Sequence, residues 1–308
     1  MKCKRCQAKA EVQLRAHNTA FCRACFILYF ERQVERTIAR HRMLPPNGRV
    51  LVAVSGGKDS LALWHVLAAQ GYDTTGLHLS LGIGEYSSHS RAKTEAFARA
   101  HALPLIVEDL NESDIGIPTV AGFTNRPPCA ACGTIKRHSF DAAALRHGFP
   151  VVATGHNLDD EAARLLGNVL HWQREYLAKQ HPVLAPTHPK FTTKIRPLYL
   201  LAEFETAVYA FFRGIDYVVD ECPNSVGATQ LDYKAVLNDL EERMPGTKQA
   251  FVREYVRVGH PAFAATADAA GPAGECSVCG MPAFGTICSY CSLIREVRSK
   301  RERRRATA

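Results

Sequence analysis

Eleven cysteines and one glycine-rich turn carry most of the chemistry open to this 308-residue chain. The turn is Ser55-Gly56-Gly57-Lys58-Asp59-Ser60, preceded by the apolar run Val50–Val54 and followed by Leu61-Ala62-Leu63-Trp64-His65-Val66-Leu67. A buried strand, two glycines that leave backbone N–H groups open, and a helix N-terminus make an anion site, and phosphate is its natural occupant. Only two adjacent glycines precede the lysine, so this is not the G-x-x-x-x-G-K-[ST] loop. A bare strand-to-helix turn would need no serine on both sides and no Lys-Asp pair. The cysteines sort by position. Cys3-x2-Cys6-x15-Cys22-x2-Cys25 and Cys276-x2-Cys279-x8-Cys288-x2-Cys291 are tetrahedral Zn²⁺ patterns. Neither segment is long enough to build a core, so metal supplies folding energy, and four thiolates leave no open catalytic position. Redox thiols are the alternative.

The remaining cysteines are Cys129, Cys132 and Cys222. Cys129 and Cys132 open a helix, whose positive end favours thiolate. Cys222 follows an expected strand and can approach the same face. Three readings stay open: a [4Fe–4S] cluster with one iron left free to hold sulfur, a thiol relay through persulfide and disulfide, or unrelated buried thiols. A second loop, Gly155-His156-Asn157-Leu158-Asp159-Asp160-Glu161, places three carboxylates at a helix N-terminus. Capping accounts for Asp159 or Asp160 and leaves the other for metal or catalytic work.

These residues need a frame. Strands are expected at 50–54, 75–81, 103–108, 151–155 and 217–220. Helices are expected at 26–43, 59–67, 89–101, 131–147, 159–170, 202–214, 229–243 and 246–257. Their alternation gives an α/β fold with a doubly wound parallel sheet, whose ligands sit at the carboxyl ends of the strands. A long polar stretch, 111–128, leads into the helix at 131–147. The stretch 171–201 lacks periodicity, and its basic loop Thr187–Lys194 could meet a substrate backbone. Pro261–Gly274 reads as a flexible linker. The domain bounds are then 1–44 for the first zinc module and its connecting helix, 45–258 for the catalytic domain, 259–275 for the linker, and 276–308 for the second zinc ribbon and basic tail. Net charge is +8, with Arg32, Arg36, Arg40 and Arg42 on one helix and Arg295–Arg305 at the end. This suits a polyanionic partner, with a solvated surface as the plain alternative. No run is long and apolar enough for a membrane span and no signal core opens the chain, so a cytoplasmic location is expected.

Ser-Gly-Gly-Lys-Asp-Ser resembles the signature of the PP-loop ATPases, which split ATP between its α- and β-phosphates. Paired zinc modules, the internal Cys-x-x-Cys, Gly-His-Asn-Leu-Asp-Asp and Cys222 stand around it in one order. That order resembles the TtcA/TtuA family of tRNA 2-thiolation enzymes, closest to its 5-methyluridine-54 branch. The resemblance implies that Ser55, Gly56, Gly57, Lys58 and Ser60 hold ATP phosphates and that Asp59 holds Mg²⁺ or orients reacting groups. It places Asp160 in the reaction centre, packs Gly155 on the nucleotide, and has Ala53 and Leu79 read the adenine edge. Lys136 would reach phosphate or the adenylated base, and Cys129, Cys132 and Cys222 would bind the cluster. It implies tRNA as substrate and a ubiquitin-like thiocarboxylate protein as sulfur donor, and a homodimer is plausible. Rival readings are thiolation of wobble uridine 34 or cytidine 32, a PP-loop ligase without sulfur chemistry, and a non-catalytic zinc-dependent RNA-binding protein.

Overall fold

A computed structural model describes every residue except 112–114, 226, 267–273 and 307–308. The chain opens with a hairpin, β1 (Val12–Leu14) and β2 (Thr19–Phe21), and a long helix, α1 (Arg23–His41). Strict alternation follows: β3 (Arg49–Ala53), α2 (Lys58–Ala69), β4 (Asp73–Ser80), α3 (Gly84–Ala100) and β5 (Leu105–Asp109). Next come α4 (Ile117–Phe123), α5 (Pro128–His147), β6 (Val151–Thr154), α6 (Leu158–Leu170) and α7 (Arg174–Ala178). Then come β7 (Val183–Leu184), β8 (Thr193–Ile195), α8 (Glu203–Arg213), α9 (Thr229–Arg243), α10 (Thr247–Glu254) and α11 (His260–Thr266). The ribbon strands β9 (Gly274–Glu275) and β10 (Pro282–Ala283) lead into α12 (Ser289–Ala306).

The large sheet runs β5-β4-β3-β6-β8-β7 and is parallel except for β7 at its edge. Strand β3 is central, and Val50, Leu51 and Val52 are fully buried because both faces are covered. Alternate residues serve opposite faces. Val50 and Val52 pack with α1, α2 and α8, whereas Leu51, Leu77 and Val152 pack with α4, α5 and α12. A third cluster joins α6, α7, α9 and α10. This is the expected doubly wound α/β architecture.

Both cysteine-rich ends are tied into this body. Phe26, Phe30, Val34 and Ile38 repeat every fourth residue along α1 and are essentially buried. Phe30 stacks on Tyr209 of α8 with ring centroids 4.2 Å apart. Each such side chain contributes about 1.5–3 kcal/mol on burial. At the other end Leu293, Ile294 and Val297 of α12 are buried against α4 and α5. The expected basic tail is therefore the outer half of a packed helix.

Four local expectations change. Tyr217–Asp220 is irregular chain and joins no sheet among the described residues; Val218 donates to the Gly56 carbonyl at 2.9 Å, and Val219 is 81% exposed. The aperiodic stretch 171–201 contains α7, β7 and β8; a three-residue Thr-Lys-Ile strand is too short to show alternation. The polar stretch 111–128 contains α4, anchored by buried Ile117 and Val120, and its residues 112–114 lie outside the described residues. The first part of the expected linker is helical instead. Residues 260–266 form α11, where Phe263 lies against Tyr255 at 6.3 Å, and residues 267–273 lie outside the described residues.

Candidate functional site

The phosphate loop joins β3 to α2 and exposes the first-turn N–H groups of a twelve-residue helix. Gly56 has φ +76°, and a Cβ there would fall 2.5 Å from the Ser90 carbonyl oxygen, so both conformation and space require glycine. Gly57 has φ −83°, and its nearest neighbour would be the Ser55 hydroxyl at 3.5 Å; that side of the loop is open. Ser60 serves the loop itself. Its hydroxyl donates to the Gly57 carbonyl at 3.0 Å and accepts from the Ser55 N–H at 3.1 Å. The exposed Ser55 is thus the freer hydroxyl for a phosphate.

Charge around the loop forms a chain of alternating sign. Lys58 Nζ lies 3.1 Å from Asp59 and 2.6 Å from Glu203. Glu203 also meets Lys234 at 3.3 Å, and Lys234 meets Asp160 at 2.6 Å. Asn157 donates to Asp59 at 3.1 Å and caps α6 reciprocally with Asp160. Burial raises the Asp59 carboxyl, with Lys58 opposing. Burial also works against the Lys58 ammonium, but Asp59 and Glu203 outweigh it and hold it above its ordinary value. The three carboxylates of the second loop therefore separate. Asp160 faces Asp59; Asp159 is buried on Lys248 and accepts from the Glu203 N–H at 2.7 Å; Glu161 pairs with Arg196 at 3.1 Å.

Gly155 sits where the second loop meets the phosphate loop. A Cβ there would come within 2.9 Å of the Asp59–Ser60 backbone, so this glycine lets the two loops touch. Beside it His156 shares a 2.8 Å bond with Thr154. Burial, then Arg164, Arg196, Lys136 and Lys234, hold that imidazole well below its ordinary pKa.

Ala53, Ser55, Leu79 and Lys136 line one small cavity of about 80 Å³, together with His78 and Tyr86. His78 bonds the Val54 carbonyl through Nδ1 at 3.0 Å, and its buried Nε2 has no partner among the described residues. Lys136 stands one turn beyond Cys132 on α5. Tyr86 feels the charge of both Cys132 and Cys222, so the cavity and the thiols are neighbours. Cys129 Sγ donates to the Asn224 carbonyl at 3.1 Å, two residues past Cys222. The expected thiolate preference of the Cys-x-x-Cys reverses at Cys132, because burial pushes its pKa up despite Lys136.

The cysteine groups differ in tightness. In each terminal quartet all four sulfurs lie within 4.8 Å of one another. The Cys6–Cys22 and Cys279–Cys288 sulfur separations are 3.6 and 3.7 Å. A tetrahedral ion with ~2.3 Å metal–sulfur bonds has sulfur edges of about 3.8 Å, so both quartets fit zinc. Burial opposes the Cys3 and Cys276 thiolates, but backbone N–H groups outweigh it and bring both to about 6. Cys129, Cys132 and Cys222 form no such tight group among the described residues. Cys132 and Cys222 pack against one apolar cluster, and Cys129 reaches the Cys222 loop through the Asn224 carbonyl.

Glu203 and Lys234 belong to the site without having been legible as such. Glu203 is the first residue of α8 and Lys234 is mid-helix in α9; neither lies in a motif, and only the fold brings them to the loop.

A family model described as a PP-loop domain matches residues 28–227, and one described as the N-terminal LIM domain of the 2-thiouridine synthetase TtuA matches residues 2–27. The tRNA-5-methyluridine(54) 2-sulfurtransferase of Thermus thermophilus is 51% identical over 253 residues, covering 82% of this chain and 78% of the relative. That of Pyrococcus horikoshii is 46% identical, covering 83% and 82%. Among solved structures, the U34-tRNA thiolase NcsA of Methanococcus maripaludis with its [4Fe–4S] cluster superposes with a TM-score of 0.80 at 25% identity, covering 96% of both chains.

Proposed function

Because the chain belongs to the PP-loop family of tRNA 2-thiolation enzymes, in the TtuA branch, we propose that it is an ATP-dependent tRNA sulfurtransferase acting on 5-methyluridine 54. The observation that supports this reading is that Ser55 of the phosphate loop shares a cavity lining with Lys136 and Tyr86, which neighbour Cys132 and, for Tyr86, Cys222.

The chemistry follows from a poor leaving group. The O2 oxygen of uracil attacks the α-phosphate of ATP and pyrophosphate departs. Sulfur then attacks C2 and AMP leaves. Lys58 exchanges Glu203 for phosphate oxygens, and Lys136 neutralises charge on the transferred phosphate. Open N–H groups at Gly57 and the α2 terminus bind the pyrophosphate end. Asp59 and Asp160, linked through Asn157, would hold Mg²⁺ and position the triphosphate. Cys129, Cys132 and Cys222 would hold a [4Fe–4S] cluster, which supplies an iron with an exchangeable position for sulfur. The two quartets would hold structural zinc. The target base enters by leaving the tRNA stack. A ubiquitin-like thiocarboxylate protein is the sulfur donor we assign. A homodimer is the assembly we assign, and exposed Phe204 and Phe211, seven residues apart on α8, support a protein contact.

The test is anaerobic reconstitution with a defined tRNA transcript, ATP and a thiocarboxylate donor. We expect 2-thiouridine at nucleotide 54 by mass spectrometry. Cys222→Ala keeps ATP affinity but loses iron and product. Product at nucleotide 34 would reassign the target, and a colourless, iron-free protein with full activity would favour the persulfide relay.

A further inference from the structure

Helix α5 has two working faces. Cys132, Lys136 and Phe140 repeat every fourth residue toward the catalytic cavity. Arg137, His138 and Asp141 face the other way, into a groove of about 590 Å³ closed by the 184–194 segment and the second zinc ribbon. Asp141 is the one acidic residue in its lining and is already engaged, by Lys194 at 2.7 Å and by the Thr192 N–H and hydroxyl. Arg137 and Lys179 also line the groove, are exposed, and form no ion pair among the described residues. Aromatic surface accompanies this charge. The rings of His138 and Tyr290 lie parallel at 3.8 Å, Lys194 sits over Phe191 at 5.5 Å, and Phe284 at the ribbon tip is 73% exposed.

We propose that this groove binds unpaired nucleotides of the tRNA that flank the target base. The inference rests on the tRNA-thiolation reading and adds to it a second, non-catalytic contact. Uncompensated cations beside the exposed Phe284 and the half-buried His138, Tyr290 and Phe191 rings match phosphates and unstacked bases, the two surfaces that single-stranded RNA offers. An acidic protein segment would match the cations but leave the aromatic faces without a flat partner. The groove and the thiols are separated by α5 itself, about one helix diameter or ~10 Å. That span is one or two nucleotides, so a strand seated in the groove presents its neighbour to the cavity.

The test is tRNA binding by fluorescence polarisation with the iron-loaded, zinc-loaded full chain across a salt series. We expect Arg137→Ala/Lys179→Ala to raise the Kd about 10-fold and to lower the slope of log Kd against log salt by about 1–2. Phe284→Ala raises the Kd with the slope unchanged, because stacking releases no counterions. Iron content and ATP affinity stay at wild-type values in all variants. Wild-type Kd and slope in the variants overturn the proposal while leaving the thiolation reading in place. Normal tRNA binding with a lost response to a protein sulfur donor also overturns it and assigns the groove to that protein. A wild-type chain that binds no tRNA overturns the thiolation reading and this one with it.

Discussion

Lys58 is held between two carboxylates, and that fixes what phosphate must displace. Glu203 shares its two oxygens between Lys58 and Lys234, so Glu203→Gln should free both ammonium groups and remove a negative charge from the phosphate path. The expected result is a 3- to 10-fold lower Kd for ATP, about 1 kcal/mol for a half-exposed pair, read by calorimetry. The glycines separate just as sharply. Gly56→Ala meets both a positive φ and the Ser90 carbonyl and should cost about 1–3 kcal/mol and abolish ATP binding. Gly57→Ala, with an ordinary φ and open space, should keep the melting temperature within a few degrees. The loop was legible in the sequence because its chemistry is contiguous. Glu203 and Lys234 were not, because a charge on a helix carries no mark of what the tertiary fold brings opposite.

Among elements, α1 and α12 show how the metal modules attach. The apolar stripe of α1 is buried independently of its cysteines, while the β1–β2 hairpin beside it has only two three-residue strands. On the proposed zinc ligation, Cys6→Ser should therefore lose one of two zincs per chain and local order in residues 1–22, while helix content by circular dichroism stays nearly unchanged. Zinc quantification and hydrogen exchange would check both parts. Sequence periodicity found most long helices and the central strands, where burial imposes a repeat. It failed at β8 and at 217–220. The first is held by sheet neighbours rather than its own pattern, and the second is β-branched yet laid over the phosphate loop.

For the molecule as a whole, buried neutral histidines govern behaviour in acid. Burial, then neighbouring cations and histidines, bring His41 and His65 down to about 4, and His78, His138 and His260 are lowered by burial as well. The unfolded chain takes up protons near 6.5 while the folded chain resists them. Stability is thus fully present above pH 6.5 and lost as pH falls toward 4. Melting temperatures measured across that window should drop steadily, whereas flat values would contradict it. The two-sided sheet was legible from strand–helix alternation; the packing of α12 onto α4 and α5 was not, because its Arg-rich outer half masks three apolar residues. That packing has a temporal meaning. Residues 289–306 leave the ribosome some 140 residues after the end of α5, so the side of the sheet bearing Cys129 and Cys132 stays uncovered through much of synthesis. The apolar flank of α4 and α5 must therefore wait for the last segment of the chain before water leaves it.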